Sequence, residues 1–277
     1  GGIVAALGSG RLVEAIAEVA EGRRKSLARR KTPIVGVSEF PNLEEAAVVR
    51  QLVSAEQVRD LVKRSLDEMD LSAHRDALLA LSQSVNDPDR SDGALTEAAV
   101  AATTSGTDIY GVAAVLQHGQ PSFHVEPIPQ WRAAEAWEEL RRRSDANRKR
   151  PTAFIANLGS IPAHKARSTW VQNLLAGAGI GAHTNEGFHD VGALAGAFKE
   201  SQAPIAVVCG SDADYDSMLG PAVAALNGAG CSVHLVAGHP NVDEAALRDS
   251  GVSDFVFVGA DVLSIMSDVL DSVGVER

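Results

Sequence analysis

Residues 151–277 predict an open, doubly wound parallel α/β sheet, and three observations carry that expectation. Five short apolar runs read as strands: TAFIAN (152–157), IGAHT (180–184), PIAVVC (204–209), CSVHLVA (231–237) and DFVFV (254–258). Helical stretches near 162–178, 190–200, 216–228, 243–250 and 261–273 separate them, and strands that alternate with helices build parallel sheets. Aromatic residues make up only 4% of the chain. The core is therefore built from Ala, Val, Leu and Ile, as helices packed on a parallel sheet require.

The residues before Pro151 follow another rhythm. RLVEAIAEVAEGRRKSLARRK (11–31) places Leu12, Ile16, Val19 and Ala20 on one helical face. Its end gathers Arg23, Arg24, Lys25, Arg29, Arg30 and Lys31, expected to remain solvated and to offset the helix dipole. TPIVGV (32–37) reads as a short buried strand. A lone helix and strand make no core, so residues 1–43 call for a partner beyond these residues. Residues 44–150 read as helical linker material, with breaks at NDPDRSDG (86–93), SGTDIYG (105–111) and the extended run around Pro121, Pro127 and Pro129. A helix with a basic tail, QWRAAEAWEELRRRSDANRKR, closes the region.

A length of 277 residues suits two domains, and 45% hydrophobic with 22% charged residues is ordinary globular composition. Charge is uneven. Residues 1–150 hold 20 Lys and Arg against 22 Asp and Glu, net −2, and residues 151–277 hold 5 against 14, net −9. Such a surface repels a nucleic-acid backbone and gains nothing from an anionic membrane. No apolar run is long enough to span a bilayer and no leader is visible, so a cytoplasmic setting is expected. Cys209 and Cys231 lie in or beside predicted strands, without metal or redox spacing, and are expected as reduced core thiols. The chain starts at Gly1 within a patterned segment, which suggests a fragment of a longer protein.

In a sheet of this kind, ligands bind beyond the carboxyl ends of the strands where strand order reverses, which singles out loops 158–162 and 209–215. Gly159 and Ser160 begin a phosphate cradle, but Ile161 and Pro162 follow, and Pro162 suits the first turn of a helix. GSDADYD offers Asp212, Asp214 and Asp216 to a divalent cation. Ser217 and Val223 stand where a calcium loop needs Gly and Glu, so helix capping is the expected role. His164, His183, His189, His234 and His239 show no metal-ligand spacing, and only His164 sits where a cofactor would approach.

IVGVSEF (34–40), the order RRKSLARRKTPIVGVSEF then helical linker then α/β domain, and FHVEPIPQWRAAEAWEELR together resemble the C-terminal half of the methylmalonyl-CoA mutases. The resemblance covers nearly the whole chain. It implies the last elements of a TIM-type barrel (1–43), a helical linker (44–150) and a flavodoxin-like, cobalamin-binding-type domain (151–277). It also implies an isomerase that interconverts methylmalonyl-CoA and succinyl-CoA with adenosylcobalamin. In the family's catalytic chains an Asp-x-His-x-x-Gly loop after the first strand supplies the cobalt-ligating His. Here that stretch reads Ile161, Pro162, Ala163, His164, Lys165, Ala166. With Ala163 in register all three signature residues are absent; with His164 as ligand its partners become Pro162 and Arg167. The Ser-x-Leu that lines the family's nucleotide-tail slot falls near Cys209 to Ala213, and the Gly-Gly beneath it becomes Gly238-His239. His239 and the acidic run would intrude on that slot.

The resemblance thus implies the small, non-catalytic (β) subunit of a heterodimeric mutase. Such a chain has no catalytic, cofactor-binding or metal site of its own, and its loop (Ile161, Ala163, His164, Ala166) is degenerate. Adenosylcobalamin would reside in the large catalytic partner. A partner-seeking surface is then expected near residues 10–40. The alternative is a stand-alone flavodoxin-like regulatory or small-molecule-binding module, a monomer with an open cleft.

Overall fold

The computed structural model describes residues 2–46, 53–67, 70–117, 125, 127–239 and 244–277, except for the side chains of residues 65 and 66. Pro121 of the expected connector and other parts of the expected helical linker over 44–150 lie outside the described residues. The chain forms two compact units, one of residues 1–46 with 126–277, the other of residues 47–125.

The larger unit starts with α1 (Ile3–Gly8) and α2 (Arg11–Ala28). The smaller unit holds α3 (Ala55–Asp67), α4 (Leu71–Asn86), α5 (Ala94–Thr104) and α6 (Ile109–Leu116). Asp70 and Asp108 start α4 and α6 by accepting hydrogen bonds from backbone N–H groups of the first turn, the ordinary way an Asp relieves unpaired donors. α4 packs against α5 and α6, with Leu81 and Ala102 buried.

The larger unit resumes with α7 (Glu135–Ala146) and then alternates: β1 (Thr152–Asn157), α8 (Ile161–Gly177), β2 (Gly181–His183), α9 (Val191–Ser201), β3 (Ile205–Cys209), α10 (Asp212–Gly228), β4 (Val233–Ala237), α11 (Glu244–Asp249), β5 (Asp254–Val256) and α12 (Val262–Ser272). The five strands are all parallel, in the order β2-β1-β3-β4-β5, as the sequence predicts for an open doubly wound sheet. Strand order reverses between β1 and β3, where Ala153 pairs with Ile205 and Asn157 with Cys209.

Alternate strand residues feed two apolar layers. Ile155, Val207, Leu235 and Val256 meet α7, α8 and α12, whereas Phe154, Ala206, Val208 and Phe255 meet α9 and α10. Burial on both faces is why the strands read as continuous apolar runs instead of alternating ones.

α7, which the sequence places in the linker region, contributes to the first layer. Trp137 and Leu140 are buried there, and the Trp137 indole N–H donates to the Leu27 carbonyl at 3.3 Å, tying α7 to the end of α2. Arg143 is buried as well. It donates to the carbonyls of Val275 and Glu276 and to Ser267, and it pairs with Asp271, so α7 also holds the chain after α12.

Three expectations for residues 11–40 are corrected. The strand expected at 32–37 does not form: the Ile34 carbonyl accepts from the N–H groups of Val37, Ser38 and Glu39, making a tight turn through Gly36 at φ +80°. Only an isolated bridge joins Val35 to Glu39, and Val35 is 77% exposed. An apolar run pairs as a strand only where a neighbour offers its backbone, and no described strand does so here. On α2, Ala20 is buried but Ile16 and Val19 are exposed, so the expected apolar face is largely uncovered. Arg30 leaves the expected solvated cluster. Its side chain is buried against Trp170, pairs with Glu39 at 2.6 Å, and shares Asn173 with the Glu39 carboxylate and the Phe40 N–H.

Candidate functional site

The loops after β1 and β3 meet at the reversal point. Gly159 adopts φ +69°, and a side chain there would come within 2.7 Å of the Asp214 carboxylate, so glycine permits both the turn and the approach of α10. The loop after β2 is stitched along β1: Asn157 donates to the Asn185 carbonyl, Asn185 donates to the Ile155 carbonyl, and the N–H groups of Phe188 and Gly159 complete the seam.

His164 lies beneath this seam. The residue is 2% exposed, and its Nδ1 has no hydrogen-bond partner. Gly187 sits directly over the ring, since a Cβ there would fall 2.8 Å from His164 Cε1. The sequence places His164 where a cofactor approaches; the fold turns it inward instead, on the buried face of α8. Of the other residues of the same loop, Ile161 and Ala166 are exposed and Ala163 is half-buried.

The acidic run is absorbed by the start of α10. That helix begins at Asp212 instead of the expected 216, because Ser211 and Asp214 form a reciprocal capping box. The Ser211 hydroxyl donates to Asp214 at 2.6 Å, and that hydrogen bond, with the Ser211 N–H behind it, holds the Asp214 carboxyl below its usual range. Asp212 pairs with Arg167 at 2.5 Å, and Asp216 is exposed. Among the described residues no group of three His, Cys, Asp or Glu side chains is placed to hold a metal ion.

Tyr215 and Arg167 are central to this edge, and nothing local in the sequence marks them as a stacked pair. The Tyr215 hydroxyl accepts from the Gly210 N–H at 3.2 Å and lies 2.7 Å from the Ala237 carbonyl and 3.0 Å from that of Val208, so one phenol bridges the carboxyl ends of β3 and β4. Burial, with Cys209 alongside, pushes this phenol well above its usual value, and it stays a proton donor at neutral pH. The Arg167 guanidinium stacks over the ring at 5.0 Å and donates to the Gly210 carbonyl as well as to Asp212. Gly238 completes the enclosure: a Cβ there would meet the Tyr215 ring at 3.5 Å and the guanidinium at 3.7 Å. His239, expected to intrude, rests on Phe257 with ring centroids 4.7 Å apart.

Both cysteines are free thiols, Cys209 buried and Cys231 half-buried. Burial raises Cys209 strongly and Cys231 to about 11, so neither is a thiolate nucleophile near neutral pH. Away from this edge, a groove of about 690 Å³ runs between α2 and α7, lined by Leu27, Ala28, Trp131, Trp137 and Leu263 among others.

The profile of the methylmalonyl-CoA mutase family matches residues 1–120. The methylmalonyl-CoA mutase small subunit of Streptomyces virginiae is 31% identical over 278 aligned residues, covering 99% of this chain and 33% of that protein. The small subunit of Porphyromonas gingivalis is 29% identical over 61% of this chain and 28% of its own length. The probable small subunit of Mycobacterium tuberculosis (strain ATCC 25618 / H37Rv) is 33% identical over 57% of this chain and 25% of its own. This chain therefore spans a third or less of the relatives it matches. With an all-parallel α/β sheet of the expected topology, and with similarity to a small subunit over 99% of its length, the chain belongs to the methylmalonyl-CoA mutase family.

Proposed function

We propose that this chain works as part of the small subunit of a heterodimeric, adenosylcobalamin-dependent methylmalonyl-CoA mutase, holding no cobalamin and supporting the large catalytic subunit. In this reading residues 1–43 are the end of a barrel domain, 44–150 a helical linker and 151–277 a cobalamin-type domain whose site has been lost. The isomerisation of methylmalonyl-CoA and succinyl-CoA then belongs to the partner, and the assembly is cytoplasmic.

One observation carries the reading: the residues at the sheet edge do not fit a corrinoid. A cobalt-ligating imidazole must project from the edge and be oriented by a hydrogen bond to its other nitrogen. His164 is buried under Gly187 and its Nδ1 has no such partner. No step of the reaction is therefore assigned to this chain's own residues. The exposed apolar side chains Val19, Val35 and Phe40 support a subunit over the alternative stand-alone module, as does the occupied cleft.

Mixing this chain with the large subunit, followed by size-exclusion chromatography and cobalamin analysis of the complex, tests the proposal. The expected result is a stable complex in which all the cobalamin is accounted for by the large subunit. A chain that elutes alone, or a complex with cobalamin bound on both subunits, overturns it.

A further inference from the structure

The enclosure around Tyr215 has the shape of a binding slot that already contains its ligand. Gly210 and Gly238 flank the ring, and a Cβ on either would meet it at 3.2 or 3.5 Å. Arg167 closes the outer face as a cation over a ring does. At the inner end, the Gly210 N–H offers a donor, and the carbonyls of Val208 and Ala237 offer acceptors. A flat slot with a cationic cap and both kinds of hydrogen-bonding group at its base selects one chemical class: a planar aromatic ring bearing an O–H or N–H.

We infer that Tyr215, clamped by Arg167, is a built-in occupant of an aromatic slot at the ends of β3 and β4, and that it excludes the planar heteroaromatic groups the same backbone would admit. The inference rests on the reading that this edge holds no corrinoid, and adds what fills the space. Arg167 serves as a positioning residue. It is itself anchored on the Gly210 carbonyl and Asp212, so the cap and the ring hold each other in place.

Phenol and benzimidazole, titrated into the 277-residue chain and its variants, test this. Tyr215→Ala removes the ring but leaves the Gly210 donor, the two carbonyl acceptors and the Arg167 cap, and a ring-sized hole takes up small aromatics. Phenol at ten times its dissociation constant should raise the variant's Tm by about 4 °C. Anisole, which has no proton to donate, should bind about tenfold more weakly. The unaltered chain and Tyr215→Phe, whose ring still fills the slot, should show no saturable binding.

If Tyr215→Ala does not fold, Tyr215→Leu replaces it, with the same expectations. Folded variants that bind neither probe, or equal binding by the unaltered chain, overturn the inference. Adenosylcobalamin titrated into the unaltered chain in parallel separates the two readings. A spectral change there overturns the loss of the cobalamin site, while the slot still stands or falls by the phenol titration.

Discussion

At the carboxyl edge of the sheet the larger unit closes its own crevice: Tyr215 bridges β3 and β4, Arg167 lies over it, and loop 185–188 covers His164. Around residues 11–40 the same unit does the opposite. Ile16, Val19, Val35 and Phe40 stand exposed, and the run expected to pair as a strand curls into a turn. The first region is filled by the chain's own side chains. The second leaves apolar side chains at the surface, and the proposed small-subunit role would place the large subunit against them.

Trp137 ties the second region to the core layer beneath the sheet, so its loss should have the largest effect. Trp137→Ala empties a fully buried site and removes the hydrogen bond to Leu27, and should cost about 3–5 kcal/mol in denaturant unfolding. Arg143 is next. Arg143→Met leaves the carbonyls of Val275 and Glu276 without their donor and should cost about 2 kcal/mol, with faster amide exchange after α12.

A pH dependence sharpens the picture inside the sheet. Burial lowers the His234 pKa below its usual 6.5, against a smaller opposing hydrogen bond to Gly251. The unfolded chain therefore binds the proton more readily than the folded one. Stability is full above pH 6.5 and falls as pH drops through the lower folded value. His234→Gln should flatten the midpoint of unfolding between pH 7 and 5 relative to the unaltered chain.

The smallest effect on stability should come from the uncovered region. Val19→Ser with Val35→Ser should change unfolding of the isolated chain by less than about 0.5 kcal/mol. The same pair should weaken association with the large subunit in size-exclusion runs. If instead they destabilise the isolated chain as strongly as Trp137→Ala, the contrast between the regions fails.

Much of the fold was legible because both faces of the sheet are covered. Residues such as Ile205 to Cys209 are buried without exception and form an uninterrupted apolar run. What was hidden depends on contacts distant in sequence. The turn at 34–39 resembles a strand in composition, and only the lack of a described neighbour reveals otherwise. Arg30 is buried by Trp170 and Asn173, far along the chain, so its sequence context of basic residues suggested a solvated side chain. The early start of α10 is readable, since Ser211 with Asp214 is a capping pattern, although the alternating Asp residues equally resemble a cation loop. The occupant of the crevice was not readable. Tyr215 and Arg167 stand 48 positions apart, and neither carries a local signal for stacking.

The proposed small-subunit role requires that this edge of the sheet hold no corrinoid. Adenosylcobalamin titrated into the chain in the dark, followed by visible absorption, tests it most directly. The expected spectrum is that of the free cofactor throughout, with all of it recovered by dialysis. A saturable shift to a base-off, histidine-ligated spectrum, abolished by His164→Ala, would contradict it.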